Sequence, residues 1–252
     1  MKLIWHGTAS IELVSSSGRL LFDPFVPLKG SSVPVRIADF DGFTDIFVTH
    51  GHLDHIGSLP EIVRRNPEVR IYCTQTPFRT LLGKGLSADH MRLLHFGETL
   101  EVCGFRIQVL HGRHAVLPRT DFHRLARILK HPARGNLPFL LREHLQCPER
   151  GETVFYQLEA EGKTVSLMGS LNLREDVTYP SGSDLLILPY NGWEDNFPPA
   201  VRILERLKPG RVLLDHYDDT FPPLTEPPDL RPLLDRYPAR TAPMVLGKEE
   251  EI

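Results

Sequence analysis

Between positions 49 and 57 the chain reads Thr49-His50-Gly51-His52-Leu53-Asp54-His55-Ile56-Gly57. Three imidazoles and a carboxylate fall within six consecutive positions, and these are the usual ligands of zinc and similar ions. His50 and His52, two residues apart, can point to the same side of an extended segment. Asp54 and His55 are neighbours and must diverge, so one short loop could feed two adjacent metal positions. Asp54 taken alone also suits the cap of a following helix. Four such groups at this density nevertheless point to a metal rather than to a solvated polar loop. Histidine is also where the composition departs from the ordinary, with 12 among 252 residues.

The motif has elements to hold it. Asp45-Ile46-Phe47-Val48-Thr49 is a short β-rich apolar run, as expected of a buried strand that ends at the motif. Residues 57–65 follow as a helix with Leu59, Ile62 and Val63 on one side, stopped by Asn66-Pro67. Upstream, 2–5 and 10–14 alternate as strands, Ser15-Ser16-Ser17-Gly18 turns, 19–22 returns, and Asp23-Pro24 ends the hairpin. Downstream, 69–73 reads as a strand and 76–82 as a helix, and 98–102 with 105–110 form a hairpin around Cys103-Gly104. A second β-rich half begins near 152, with strands at 153–159, 163–168, 184–188 and 211–215 and a helix at 197–207. Between the halves, about 115–150 is helical in pattern and basic. Two β-rich halves with helices outside suggest two sheets packed face to face under helical cover.

Composition narrows the class. With 41% hydrophobic and 24% charged residues the chain is ordinary for a soluble globular protein, long enough to bury a full core. The longest apolar run, at 185–189, falls far short of the roughly 18 residues a membrane span needs. The opening Met1-Lys2-Leu3-Ile4-Trp5-His6-Gly7 reads as the start of the fold and not as a signal peptide. A net charge of −3 supplies no global field for nucleic acid or an anionic membrane, though a local basic patch remains open. Cys73, Cys103 and Cys147 are odd in number and share no metal-binding spacing, so a reducing cytoplasm is expected. No Walker A loop, dinucleotide-binding glycine fingerprint or nucleophile elbow occurs.

The run from His50 to His55 resembles the H-x-H-x-D-H signature of the metallo-β-lactamase-fold hydrolases. Trp5-His6-Gly7-Thr8-Ala9-Ser10 and Leu21-Phe22-Asp23-Pro24 resemble that superfamily's first hairpin and its D-P turn. The resemblance implies an α+β fold, a four-layer αβ/βα sandwich formed by residues 1–252 as one domain, with a lid-like helical insert at about 115–150. It implies His114 as the third histidine of a first metal position beside His50 and His52, with His111 as a competitor three residues earlier. It implies His216, in Leu213-Leu214-Asp215-His216-Tyr217-Asp218, as a ligand beside Asp54 and His55 at a second position. Asp23 would orient a ligand imidazole through its other ring nitrogen, or simply form an Asp-Pro turn.

One position departs from the family pattern. An aspartate that bridges the two metals normally follows a strand and a glycine; here Met168-Gly169-Ser170 puts Ser170 at that place. Three outcomes stay open: one firm and one weak metal, substitution by Asp218, Asp195 or Glu194, or a local shift in the match. The insert is a second feature. Residues 113–150 carry eight basic residues, Arg113 among them, against three acidic ones. Phe122, Leu125, Ala126 and Leu129 fall at helical spacing for a buried stripe. Lying after His114, the insert is either a lid favouring an anionic substrate or an ordinary solvated face. Trp193, after the strand at 184–188, either lines the pocket or packs.

The resemblance implies an enzyme: a metal-dependent hydrolase using Zn2+ (one or two ions, with Mn2+ or Fe2+ not excluded). A metal-bound hydroxide, with Asp54 and His216 as catalytic groups, would cleave an ester, lactone or phosphodiester of an anionic small molecule. Trp193, Arg113 and Asp218 are the candidate substrate contacts. The hairpin start and the late histidine resemble the lactonase and phosphodiesterase branch more than true β-lactamases. Nucleic acid is not an expected partner, and the oligomeric state is left open. The rival is a non-catalytic metal-binding or ligand-sensing protein with a degenerate second metal site, motivated by Ser170.

Overall fold

The computed structural model describes residues 1–115, 122–191 and 196–252, with 122–124 described by backbone alone. The first half contributes β1 (Lys2–Trp5), β2 (Ile11–Ser15), β3 (Gly18–Phe22), β4 (Asp45–Phe47), β5 (Arg70–Cys73) and β6 (Met91–Leu93). The second contributes β7 (Thr99–Val102), β8 (Phe105–His111), β9 (Val154–Ala160), β10 (Lys163–Met168), β11 (Leu185–Pro189), β12 (Arg211–Asp215) and β13 (Thr241–Pro243). A last strand, β14 (Glu249–Glu251), returns to the edge of the first sheet beside β1. The sheets run β14-β1-β2-β3-β4-β5-β6 and β13-β12-β11-β10-β9-β8-β7.

Alternation along the strands explains the layering. In β3, Leu20 and Phe22 face the opposite sheet while Leu21 between them faces outward, as a period of two requires. The inner faces meet in one core, where Leu13, Phe22 and Phe47 pack with Ile107, Tyr156 and Ile187. Outside the first sheet lie α1 (Leu53–Ile56), α2 (Leu59–Arg65) and α3 (Gln75–Gly83), whose Ile56, Leu59, Ile62 and Leu81 cover Leu21, Ile46 and Ile71. Two more helices, α4 (Phe122–Lys130) and α5 (Leu137–Gln146), fall between β8 and β9. Outside the second sheet, α6 (Phe197–Leu207) and α7 (Arg231–Arg236) place Ile203, Leu204, Leu207 and Leu233 over Leu186, Leu188 and Leu214. This is the expected α+β, four-layer αβ/βα sandwich. β11 is buried along its whole length, as a parallel strand covered on both faces should be.

The differences from expectation have local causes. The helix expected over 57–65 is α2, and an additional turn, α1, precedes it within the motif, the two separated at Gly57-Ser58. Pro60 lacks the N–H that would bond back into α1, so the helix restarts there. The stripe expected to be buried on α4 is not: Leu125 and Leu129 are exposed and Ile128 is the buried residue. Helical spacing says which side chains share a face, not whether anything covers it. Here Ile128 and Leu140 are buried apart from the three hydrophobic clusters of the sandwich. The Phe122 side chain lies outside the described residues. Among the described residues, no helix is long and apolar enough to cross a membrane.

Candidate metal centre

Five strand ends meet at one rim of the sandwich. β3 leads to Asp23, β4 to the 49–55 loop, β8 to His114, β10 to Ser170 and β12 to His216. Groups at the carboxyl ends of strands are where an open sheet presents a site.

Asp23 and Thr49 organise the loop. Asp23 takes φ +43°, in the left-handed region, which turns its carboxylate back under the motif. Its Oδ1 accepts from the Thr49 backbone N–H at 2.8 Å, and its Oδ2 accepts from Thr49 Oγ1 at 2.5 Å and from His55 Nδ1 at 2.7 Å. With its hydrogen given to Asp23, Thr49 Oγ1 can accept from His50 Nδ1 at 3.1 Å. These bonds place a hydrogen on Nδ1 of both His50 and His55 and turn Nε2 of each towards the site. Gly169 is required beside them, because a Cβ there would lie 2.6 Å from the Thr49 Cβ.

Two clusters result. Ring nitrogens of His50, His52 and His114 lie within 4.8 Å of one another. Asp54, His55 and His216 form a second set with donor atoms inside the same limit. The sets adjoin, with His50 and His55 ring centroids 3.8 Å apart. His114 donates Nδ1–H to the Ala115 carbonyl at 2.7 Å, which leaves its Nε2 for the cluster. His216 adopts φ +60°. Its backbone N–H bonds to the carbonyl of Thr8, in the turn after β1, at 2.9 Å, and that bond holds the strained backbone in place. His216 Nε2 lies 3.0 Å from Asp54 Oδ2, and His55 Nε2 lies 3.3 Å from the same oxygen.

The electrostatics of the two sets differ. Burial lowers the pKa of His50 well below its ordinary value, with its imidazole neighbours adding to the effect. Burial takes His52 down to about 4 and also lowers His114. The first set is therefore neutral imidazole at neutral pH, with lone pairs available to a cation. In the second set burial opposes charge on His55, but Asp54 and Asp23 outweigh it and raise its pKa to about 10. Burial likewise opposes charge on His216, and the bond to Asp54 prevails and raises it. Three converging neutral imidazoles beside a carboxylate and two more imidazoles suit a divalent cation.

The other sequence candidates lie elsewhere. His111 donates from Nε2 to the Gly151 carbonyl at 2.7 Å and stacks on Phe96, outside both sets. Ser170 Oγ accepts from the Ala115 backbone N–H at 2.9 Å, so it braces the loop that carries His114. Asp218 Oδ2 accepts from the Thr8 N–H at 2.7 Å, turned to the hairpin start and not into the clusters. Arg113 is exposed. Trp193, Glu194 and Asp195 lie outside the described residues. Sequence reasoning passed over Thr49, the hub between Asp23 and the imidazoles, though it directly precedes His50. It also passed over Glu149, whose Oε1 accepts from the N–H and the hydroxyl of Thr153 at 2.9 and 2.7 Å. Its charge acts on His52 and His114.

A family model described as Beta-lactamase superfamily domain matches residues 18–217. The chain belongs to that superfamily. The resemblance carried by the 50–55 motif is borne out, and with it the assignment to the metal-dependent hydrolases. A UPF0173 metal-dependent hydrolase of Methanopyrus kandleri is 24% identical over 91% of this chain and 89% of that protein. A second, from Sulfolobus acidocaldarius, is 36% identical, over 29% of this chain and 32% of that protein. Among solved structures, the metallo hydrolase Igni18 of Ignicoccus hospitalis aligns with a TM-score of 0.63 at 18% identity, over 100% of this chain and 98% of its own. Zn(2+)-bound PqqB of Methylobacterium extorquens aligns with a TM-score of 0.61 at 17% identity, over 96% and 87%. At those identities the structures show a shared fold.

Proposed function

We propose that this protein hydrolyses an ester, lactone or phosphodiester of an anionic small molecule, with His50, His52 and His114 holding one divalent cation and Asp54, His55 and His216 a second. The observation that carries it is the convergence of six donors from three distant parts of the chain into two adjoining sets. A divalent cation bound there would supply Lewis acidity, polarising a substrate oxygen and lowering the pKa of water from about 15.7 towards about 7.

The chain's own groups do the positioning. Asp23 and Thr49 hold the rings of His55 and His50 so that each presents Nε2. Asp54 Oδ2 lies between His55 and His216; burial opposes its charge, but the two imidazoles outweigh it and hold the carboxyl well below the usual carboxylate range, so it serves as an anionic ligand that helps orient the nucleophile. Asp54 is the sole carboxylate among the six donors, so a loaded centre keeps a positive balance, which favours an anion. Zinc is the proposed metal because neutral imidazoles suit it. The similar PqqB structure is Zn(2+)-bound, which adds support. Residues 1–252 are read as one domain in which α4 and α5 cover one side of the site. The unpaired Cys73, Cys103 and Cys147 fit a reducing cytoplasm.

A second reading is a metal-binding sensor without turnover, and Ser170 favours it: its oxygen is engaged by Ala115 and brings no charge to the second set. The deciding experiment is metal content of the purified protein followed by turnover on a panel of esters, lactones and phosphodiesters. Hydrolysis of one class that is lost with chelator supports the enzyme. Stoichiometric metal with no hydrolysis across the panel supports the sensor.

A further inference from the structure

The segment between β8 and β9 carries an apolar surface that neither sheet uses. Among the described residues eight large apolar side chains are exposed, and five of them fall within 125–145: Leu125, Leu129, Phe139, Leu141 and Leu145. Leu125 and Leu129 stand one turn apart on α4 at 46% and 55% exposure. Leu141 and Leu145 stand one turn apart on α5 at 66% and 74%. Paired leucines on two consecutive helices mark an interaction surface rather than scattered surface residues.

The surface is held in place. Asn136 Nδ2, between the helices, donates to the carbonyls of Lys29 and Pro222 at 2.9 and 2.8 Å. Lys84, at the end of α3, pairs with the buried Glu143 of α5 at 2.6 Å. The Pro148 carbonyl sits so close over Gly51 that a Cβ there would lie 2.4 Å from it.

Charge identifies the occupant. Residues 113–150 carry eight basic and three acidic side chains, while the rest of the chain carries 21 basic and 29 acidic. Lys130 and Arg134, close to the leucines in sequence, are exposed, as is Arg142, which pairs with Glu143 at 3.0 Å. An open cleft of about 620 Å³ next to Leu145 is lined by Arg79, Lys84 and Arg150, with Glu152 as its acid. Exposed leucines among cations, on a protein whose remainder is acidic, complement a surface that is anionic outside and apolar beneath.

We propose that the α4–α5 segment docks this protein on an anionic phospholipid bilayer. Leu125, Leu129, Leu141 and Leu145 enter the acyl boundary, Lys130, Arg134 and the cleft's Arg79 and Arg150 meet headgroups, and the acidic remainder turns away. His144 on α5 has its ring 6.5 Å from that of His52, so the helix that carries Leu141 and Leu145 adjoins the histidine cluster.

The test is cosedimentation of the full chain with vesicles of phosphatidylcholine alone and of phosphatidylcholine mixed with phosphatidylglycerol, in low and high salt. Binding to the mixed vesicles, weakened by salt and reduced at least about tenfold by Leu125→Glu/Leu129→Glu and by Leu141→Glu/Leu145→Glu, is expected. All four sites are exposed, and circular dichroism checks that the variants stay folded. Absence of binding, equal binding to neutral vesicles, or indifference to the glutamates overturns the proposal. So does light scattering that shows a dimer split by the same glutamates, because a second copy then covers the face. Sedimentation needs no turnover, so its failure leaves the hydrolase proposal standing.

Discussion

Replacing Asp23 by Asn tests how the protein prepares an imidazole for a cation. The carboxylate accepts three hydrogen bonds, from the Thr49 backbone, the Thr49 hydroxyl and His55 Nδ1. Asparagine keeps the shape but must aim its NH2 at one of these donors. If the NH2 replaces Oδ2, His55 Nδ1 can only accept, and its hydrogen moves to Nε2, the atom offered to the second set. Asp54 Oδ2, 3.3 Å away, then takes that hydrogen. If the NH2 replaces Oδ1 instead, it opposes the Thr49 N–H and strains the turn before His50. Either way a charge-assisted bond worth about 1.5–3 kcal/mol is weakened. Loss of a partner that orients a ligand costs about 10–100-fold in metal affinity, or about 1.4–2.8 kcal/mol. The assay is Zn2+ titration against a competing chelator, with bound metal read by mass spectrometry. The expected result is a loss of that size in the weaker binding phase, with a smaller change in the stronger one. Affinity within about twofold of wild type, in a protein with unchanged thermal unfolding, would refute the reasoning.

Four further outcomes follow from the same geometry. His52→Ala removes one of three converging nitrogens and should abolish both metal retention and turnover; near-normal values for either refute the site. Ser170→Asp should raise occupancy towards two ions if the missing carboxylate limits the second, and unchanged occupancy rules that explanation out. Ser170→Ala leaves the Ala115 N–H without its acceptor, so a stability loss of about 1–3 kcal/mol in denaturant unfolding is expected, with weaker metal binding as the His114 loop loosens. Gly51→Ala forces a methyl against the Pro148 carbonyl, and a cost of about 1–3 kcal/mol should appear as a lowered melting temperature, whereas unchanged melting would show that the segment after α5 does not press on the motif.

The sequence carries some of this site locally and some only through folding. His50, His52, Asp54 and His55 are legible because one loop carries them, and the strand before it is apolar enough to be recognised. His114 and His216 have no local mark, since a lone histidine after a strand looks the same whether it faces a partner or solvent. Only the superfamily pattern singles them out, and the sandwich brings them within reach because all these strand ends open onto one rim. The short strands β6, β13 and β14 escape notice for another reason: three residues are too few to show a period of two, and pairing with a neighbour creates them. The exposed leucines of α4 show the limit of periodicity itself, because an amphipathic helix presents the same pattern to a core and to an outside partner. Ser170 combines both lessons. As a residue type it signals only a missing charge. In the fold its oxygen takes up the Ala115 N–H, so the position that lacks a bridging carboxylate still shapes the first set of donors through the backbone beside His114. Occupancy of the two sets should therefore respond differently to Ser170→Ala and Ser170→Asp, and a change that affected both sets equally in both variants would show that the brace and the charge are not separable.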